Sequence, residues 1–411
     1  MREGAYAVWL RDCHVGMLHQ RGDHTRLVFD VTYREDPDRP VLGLHFEEQL
    51  LTPQASTLRL PPWFSNLLPE GRIRNWIAED RGVSVDREME LLAHTGHDLP
   101  GAVRVLLADG PTPTETWSMP EARDDYRTLL TGQHHPGWRI SLAGVQLKFG
   151  VLSVNDRLTV PGFGEGSDWI VKLPDHQFEN LPRNEFSMMS WAAVAGIDVP
   201  TVRLIHRDQL NGLPPNVWPG GERWAYAVKR FDRDQGRRLV HVEDLAQVRN
   251  FYPEGKYRGN FETVASLIYR NHDVAALREF ARRLTFIILI GNGDAHLKNW
   301  SLIYRNPRIP TLAPAYDLVS TAIYRAYPDD EDLGLKFGGS RSFERVSLST
   351  FQRLEERLGA TDAGLVEVVK ETISRTKLGW EECAGLLDGM PVLQRYLEQR
   401  LASRSCSLLR Y

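Results

Sequence analysis

Leu277, Phe280, Leu284, Ile287 and Ile288 recur at three- and four-residue intervals, directly before Gly291-Asn292-Gly293-Asp294-Ala295-His296-Leu297-Lys298-Asn299. That spacing predicts a helix with one buried face, and such a helix delivers a polar loop out of the core. The fold therefore has to end a buried element beside an Asp and an Asn five positions apart. This is phosphotransfer spacing, in which a loop aspartate receives the proton of an acceptor hydroxyl and an asparagine four intervening residues later holds Mg²⁺. Asp294 and Asn299 stand in that relation. An Asn/Gly/Asp loop that merely turns the chain is the competing reading, and the nonapeptide alone leaves the two level.

A second carboxylate tips the balance. Nucleotide-bound Mg²⁺ takes one or two carboxylates, with water and phosphate oxygens completing an octahedron. Asp317, in Ala313-Pro314-Ala315-Tyr316-Asp317-Leu318, follows the apolar run Trp300-Ser301-Leu302-Ile303-Tyr304 and a Pro-punctuated turn. A hairpin after the catalytic loop would place a metal ligand there, whereas a helix cap or turn Asp is the plainer alternative. Upstream, Ser141-Leu142-Ala143-Gly144-Val145-Gln146-Leu147-Lys148 is a small-residue loop whose amides suit anionic oxygens. It has one interior glycine and is not a Walker A sequence, which disfavours a P-loop NTPase. Asp168 to Pro174 reads as a strand with Lys172 near its end, although a lone strand lysine is more often a solvated edge charge. Asn184-Glu185 opens a helical pattern running to Ala195, so Glu185 can pair with Lys172. Trp224 to Asp232 is an apolar strand with a charged end, suited to a hinge whose backbone bonds adenine.

Taken in order, these segments resemble the HipA-type serine/threonine kinases, toxins of bacterial toxin–antitoxin pairs, over nearly the whole chain. The resemblance rests on Ser141 to Lys148, Val171 to Pro174, Asn184-Glu185, Lys229 to Arg233, Gly291 to Asn299 and Tyr316 to Leu318. It also rests on Asn66-Leu67-Leu68-Pro69-Glu70-Gly71, which is similar to the signature of the family's N-terminal subdomain. It implies an α+β, bilobal protein-kinase-like fold with an N-terminal α+β subdomain and a mainly helical C-lobe, working with ATP and Mg²⁺. By the same resemblance Asp294 is the catalytic base, Asn299 and Asp317 are Mg²⁺ ligands, and Lys172, paired with Glu185, lies on the ATP phosphates. Lys229 and Phe231 would meet adenine through their backbones. Ser141, Leu142, Ala143, Gly144, Val145, Gln146 and Lys148 would form the phosphate loop. Autophosphorylation of Ser141 would expel that loop, because a phosphoserine adds roughly −1.5 to −2 charge beside a pocket that attracts phosphate. His296 and Lys298 flank the base and read either as ATP contacts or as packing of the loop.

The partners the resemblance implies are a helix-turn-helix, HipB-like antitoxin, through which DNA is reached indirectly, and a protein substrate such as an aminoacyl-tRNA synthetase. Two rival readings stand beside it. A small-molecule phosphotransferase of the aminoglycoside or choline kinase type shares the Asp…His…Asn loop but not the N-terminal subdomain or the Ser141 loop. A catalytically silent co-repressor module bound to a DNA-binding antitoxin is the other, and against it every candidate catalytic position holds a competent residue.

Composition sets outer bounds. At 411 residues, 42% hydrophobic and 25% charged, the chain is globular and long enough for two or three domains. A net charge of −4 argues against a broad nucleic-acid-binding face, and Arg230, Arg233, Arg237 and Arg238 read either as a local basic patch or as solvated surface. Cys13, Cys383 and Cys406 are few, odd in number and far apart, so neither a disulfide framework nor a zinc site is expected and a cytoplasmic location suits them. No apolar leader and no run of about 18 apolar residues is present, so membrane spanning is not expected. The organisation expected is an N-terminal subdomain over 1–110, a linker over 111–120 opening with the Pro/Thr-rich Pro111 to Thr116, an N-lobe-like region over 121–232 and a helical C-lobe over 233–411. Within the first, Ala5 to Leu10, Thr25 to Tyr33 and Ala102 to Leu107 read as strands, and Arg72 to Glu79 and Arg87 to Thr95 as helices. Ala363 to Ser374 and Val392 to Leu401 read as C-lobe helices.

Overall fold

Alternating side chains build the first sheet. In β1 (Glu3–Leu10), Tyr6, Val8 and Leu10 are buried while Ala7 and Trp9 are only half-buried, the two-residue period of a strand with one covered face. With β2 (Cys13–Arg21), β3 (His24–Phe29), β4 (Gln54–Thr57) and β5 (Val103–Leu107) it forms an antiparallel sheet in the order β4-β3-β2-β1-β5. Trp63 and Phe64 of the Pro62–Ser65 helix and Leu91 and Leu92 of the Glu88–Thr95 helix close its apolar face. The computed structural model that shows this arrangement describes residues 3–108, 148–154, 157–159, 166–211, 218, 221–324, 332–403 and 407–410. The strand expected to continue to Tyr33 stops at Phe29. Asp30 accepts the Thr32 amide at 2.8 Å and caps a one-turn helix, Val31–Glu35, in which Tyr33 is buried and donates to the Pro40 carbonyl at 2.6 Å.

The second sheet is mixed, in the order β10-β7-β6-β8-β11-β9. Its strands are β6 (Lys148–Val154), β7 (Arg157–Thr159), β8 (Trp169–Lys172), β9 (Val202–His206), β10 (Leu210–Asn211) and β11 (Trp224–Lys229). The Leu181–Val194 helix lies against it and buries Met188, Met189, Trp191 and Ala192. Pro182 opens that helix, a position where its missing N–H costs nothing, and this puts Glu185 in the second turn, facing β8.

A third sheet, β12 (His241–Asp244), β13 (Ser301–Tyr304) and β14 (Thr311–Leu312), is antiparallel and sits among the helices of the second half. The anticipated long helix runs Val274–Ile290, capped by the Asp273 carboxylate on the Ala276 amide at 2.9 Å. Every residue from Leu284 to Ile290 is buried, a wider burial than a stripe at helical spacing implies, because the Leu365–Leu378 and Pro391–Ala402 helices also contribute to the core around it.

The arginines after β11 do not form one surface. Arg230 and Arg233 are buried, against the expectation of a basic patch or solvated face, and only Arg237 and Arg238 keep largely exposed side chains. Asp98 and Asp232 supply the counter-charge: Arg230 bonds Asp98 at 2.9 Å and Asp232 at 2.7 Å, and Arg233 bonds Asp98 at 2.7 Å. The network fastens the hinge after β11 to the N-terminal unit. Among the described residues no helix is long and apolar enough to cross a membrane.

Candidate active site

The loop carrying Asp294 is built by the end of the long helix. Gly291 adopts φ +65° and terminates it, and a side chain there would press on the Tyr396 hydroxyl, so glycine is strongly favoured. Asn292, buried, then accepts the Asp294 amide at 2.9 Å and donates to the Asp317 carbonyl at 3.3 Å, while the Gly293 amide donates to Thr321 Oγ at 2.8 Å. Asn299 Nδ2 donates to the Asp294 carbonyl at 2.8 Å, which turns its amide oxygen away from that bond. The backbone of Asp294 is thus held from both sides. Its carboxylate is half exposed and accepts the Tyr257 hydroxyl at 2.5 Å.

Opposite the loop, the Lys172 ammonium sits between two carboxylates. It is 2.6 Å from Glu185 and bonded to Asp317. Burial works against the lysine's charge, and Asp317 and Glu185 overcome it and raise its pKa above the ordinary value. Asp317 stands at φ +56°, a conformation few non-glycine residues adopt. Burial would raise its carboxyl, yet Lys172 and Lys148 hold it down at about 2. Burial pushes Glu185 up to about 7 despite Lys172. Lys148, which pairs with Lys172 across β6 and β8, is pushed down to about 8 by burial.

The N-terminal unit reaches this cleft, which sequence reasoning missed. Asn66 and Glu70 of the Asn66 to Gly71 segment bond Lys298: Asn66 Oδ1 accepts at 3.0 Å and Glu70 pairs at 2.9 Å. Glu70 also pairs with Lys256 at 3.3 Å, and the two ammonium groups bring its carboxyl to about 2 against the opposing pull of burial. Of the two readings of Lys298, packing of the loop is the one these bonds favour. His296 is 6% exposed, meets the Tyr257 ring edge-on and is pushed down to about 4 by burial, so its imidazole is neutral at pH 7. A glutamate inside an otherwise apolar segment was the signal available for Glu70. Nothing in the sequence marks Tyr257.

Lys148, Lys172, Glu185, Lys229, Phe231, Asp294, His296, Lys298, Asn299 and Asp317 line one cavity of about 750 Å³, a size common for small-ligand sites. At its hinge edge the Lys229 amide donates to the Thr201 carbonyl at 2.8 Å and the Arg230 amide to Asp168 at 2.9 Å, so those two donors serve the fold. Phe231 lies tilted against Tyr316, with centroids 5.7 Å apart. Ser141, Leu142, Ala143, Gly144, Val145 and Gln146 lie outside the described residues. The donor set fits a Mg²⁺-bound nucleotide: Asp317 and Asn299 offer hard oxygens to the cavity, and Lys148 and Lys172 bring positive charge. Mg²⁺ commonly takes one or two carboxylates and completes its shell with water and phosphate oxygens, which the pair Asp317 and Asn299 would suit.

The chain is similar to known proteins along most of its length. Residues 6–106 match the family model of the HipA N-terminal domain, and residues 140–380 that of the HipA-like C-terminal domain. The chain is 40% identical over 370 residues to "Putative kinase Y4dM" of Sinorhizobium fredii, covering 87% of this chain and 86% of that protein. It is 30% identical over 293 residues to the "Serine/threonine-protein kinase toxin HipA" of Shewanella oneidensis, covering 64% and 63%. A solved structure from Shewanella oneidensis MR-1, of the toxin–antitoxin system HipA, HipB and operator DNA, superposes with a TM-score of 0.74 at 22% identity over 99% of this chain and 97% of that one. That likeness extends the shared α+β, bilobal kinase-like fold to the whole molecule. With a HipA N-terminal domain and a HipA-like C-terminal domain in one chain, and relatives named as kinases along most of its length, this protein belongs to the HipA family.

Proposed function

We propose that this chain is an ATP- and Mg²⁺-dependent serine/threonine protein kinase and the toxin of a toxin–antitoxin pair. The observation that carries the reading is Lys172 held between Glu185 and Asp317 in the same cavity as Asp294 and Asn299. Lys172 and Lys148 would bind the phosphates, and Asn299 and Asp317 would hold Mg²⁺, which supplies charge neutralisation when bound. Phe231 and the hinge backbone would meet adenine. Asp294, fixed at its backbone by Asn292 and Asn299, would accept the proton of a serine or threonine hydroxyl. Transfer then depends on positioning and electrostatics rather than covalent chemistry by the protein.

The partner we propose is a HipB-like helix-turn-helix antitoxin, since the superposed Shewanella structure contains HipB and operator DNA. The substrate we propose is a translation component such as an aminoacyl-tRNA synthetase, and the compartment the cytoplasm. Ser141 is the proposed site of self-inactivation. Incubation with radiolabelled ATP and Mg²⁺ tests the core of the reading: the wild type should label itself at Ser141, as mapped by mass spectrometry, and Asp294→Asn should lose at least about 99% of the label, the scale expected when a group acting on the transition state is removed. Full labelling of Asp294→Asn would sink Asp294 as the base. Absence of both label and nucleotide binding in the wild type would favour the silent co-repressor.

A further inference from the structure

Tyr257 stands where an acceptor has to stand. Its phenol donates a 2.5 Å hydrogen bond to Asp294 Oδ1, the contact that an acceptor hydroxyl makes with a general base before its proton moves. Its ring packs edge-on against His296, with centroids 5.1 Å apart, and stays 41% exposed, so it lies at the mouth of the cavity with solvent on one side.

The backbone beneath it is fixed by the N-terminal unit. Asn66 donates to the Phe251 carbonyl at 2.7 Å, Ser56 and Tyr252 share a 2.7 Å hydrogen bond, and Arg59 pairs with Glu254 at 3.0 Å. The one-turn helix Pro253–Tyr257 is further held through Lys256 on Glu70. On the other side Asn292 and Asn299 hold the backbone of Asp294. With both backbones anchored, rotation of the Tyr257 side chain is the simplest motion that opens the carboxylate.

Building on the kinase reading of Asp294, we propose that Tyr257 is the acceptor-site residue of this enzyme: its phenol holds the place of the substrate hydroxyl on Asp294 Oδ1, in competition with water, until a protein acceptor displaces it. After displacement, the acceptor oxygen forms a bond to the γ-phosphorus as the bond from that phosphorus to the bridging oxygen breaks. ADP departs and the acceptor proton passes to Asp294. When Tyr257 lacks its hydroxyl, water takes the same position, and the same bonds form and break to give inorganic phosphate and ADP. A large acceptor able to push the ring aside is thereby favoured over water, which is a specificity set by the segment that the N-terminal unit anchors.

Tyr257→Phe in the full-length chain removes the hydroxyl and keeps the ring against His296. Inorganic phosphate release from ATP with Mg²⁺ should rise about fivefold, the worth of one net hydrogen bond, with unchanged affinity for the non-hydrolysable analogue AMP-PNP. The rise should vanish in the double variant carrying Asp294→Asn. A merely structural tyrosine would not raise hydrolysis when altered, so an equal or lower rate at normal AMP-PNP affinity overturns the proposal. Phosphate found on Tyr257 itself would make it an acceptor rather than a placeholder and overturn it too. Failure of AMP-PNP to bind either protein would instead remove the kinase reading on which the proposal stands.

Discussion

Two sets of charges flank β11, one buried at the hinge and one lining the cleft, and they are compensated to different degrees. At the hinge Arg230 engages all three side-chain nitrogens: Nε and Nη2 with Asp232, Nη1 with Asp98 and Ser167, and Nη2 again with the Leu99 carbonyl. Burial opposes its charge, yet the two aspartates raise its pKa, and the two arginines hold Asp232 well below the usual carboxylate range. In the cleft burial wins twice, bringing Lys148 down to about 8 and Glu185 up to about 7. Asp317 and Lys172, which pair with each other, stay firmly ionised there. A set whose charges are pinned by partners inside the fold serves the fold. Groups moved toward neutrality have charge still to be stabilised, which an incoming ligand can supply, and perturbed groups gather at functional sites for this reason.

The largest expected effect separates the two sets by what each loses. Arg230→Met leaves Asp98 and Asp232 short of a counter-charge, and breaking such a buried pair costs about 3–5 kcal/mol, to be read from the urea midpoint of unfolding. Lys172→Met should lose less stability than Arg230→Met, because Glu185, already near neutrality, takes up a proton. Phosphoryl transfer by Lys172→Met should nevertheless fall by about 10²–10³-fold. If Lys172→Met unfolded as readily as Arg230→Met, the contrast between hinge and cleft would be wrong.

The same comparison shows what the sequence could reveal. The Val274–Ile290 helix and its glycine stop are local signals, since an apolar stripe, a capping Asp and a terminal Gly lie within one segment. The contact between Lys172 and Glu185, 13 residues apart, was legible because a strand lysine paired with a helix glutamate is the arrangement kinases use. The burial of Arg230 was not, for although Asp232 stands two residues away, Asp98, which joins it to the N-terminal unit, lies 132 residues away, and a cationic cluster reads as solvated surface until its distant partners are known. The reach of Asn66 to Lys298 spans 232 residues, beyond anything periodicity encodes. Tyr33 is a different failure: Asp30 and Thr32 held a local capping signal that the strand-like pattern around them obscured. Tyr257 is a tyrosine beside a lysine in a polar stretch, and only folding gives it Asp294 as a neighbour.

A smaller effect sharpens the cleft side. In the ligand-free protein burial leaves Lys148 at about 8. Phosphate groups beside it would favour its charged form and raise that value, so binding takes up a proton wherever the free lysine is neutral. Affinity for Mg²⁺–AMP-PNP should therefore be flat for this residue well below pH 8 and fall as pH rises beyond it, by up to about fivefold between pH 8 and 9 for one linked proton. Titration calorimetry at the two pH values measures this directly. Lys148→Arg keeps its charge throughout that range and should abolish the slope while still binding. A slope that survives in Lys148→Arg would assign the titrating group elsewhere in the cleft, and Lys148 would then belong with the hinge residues, as part of the frame.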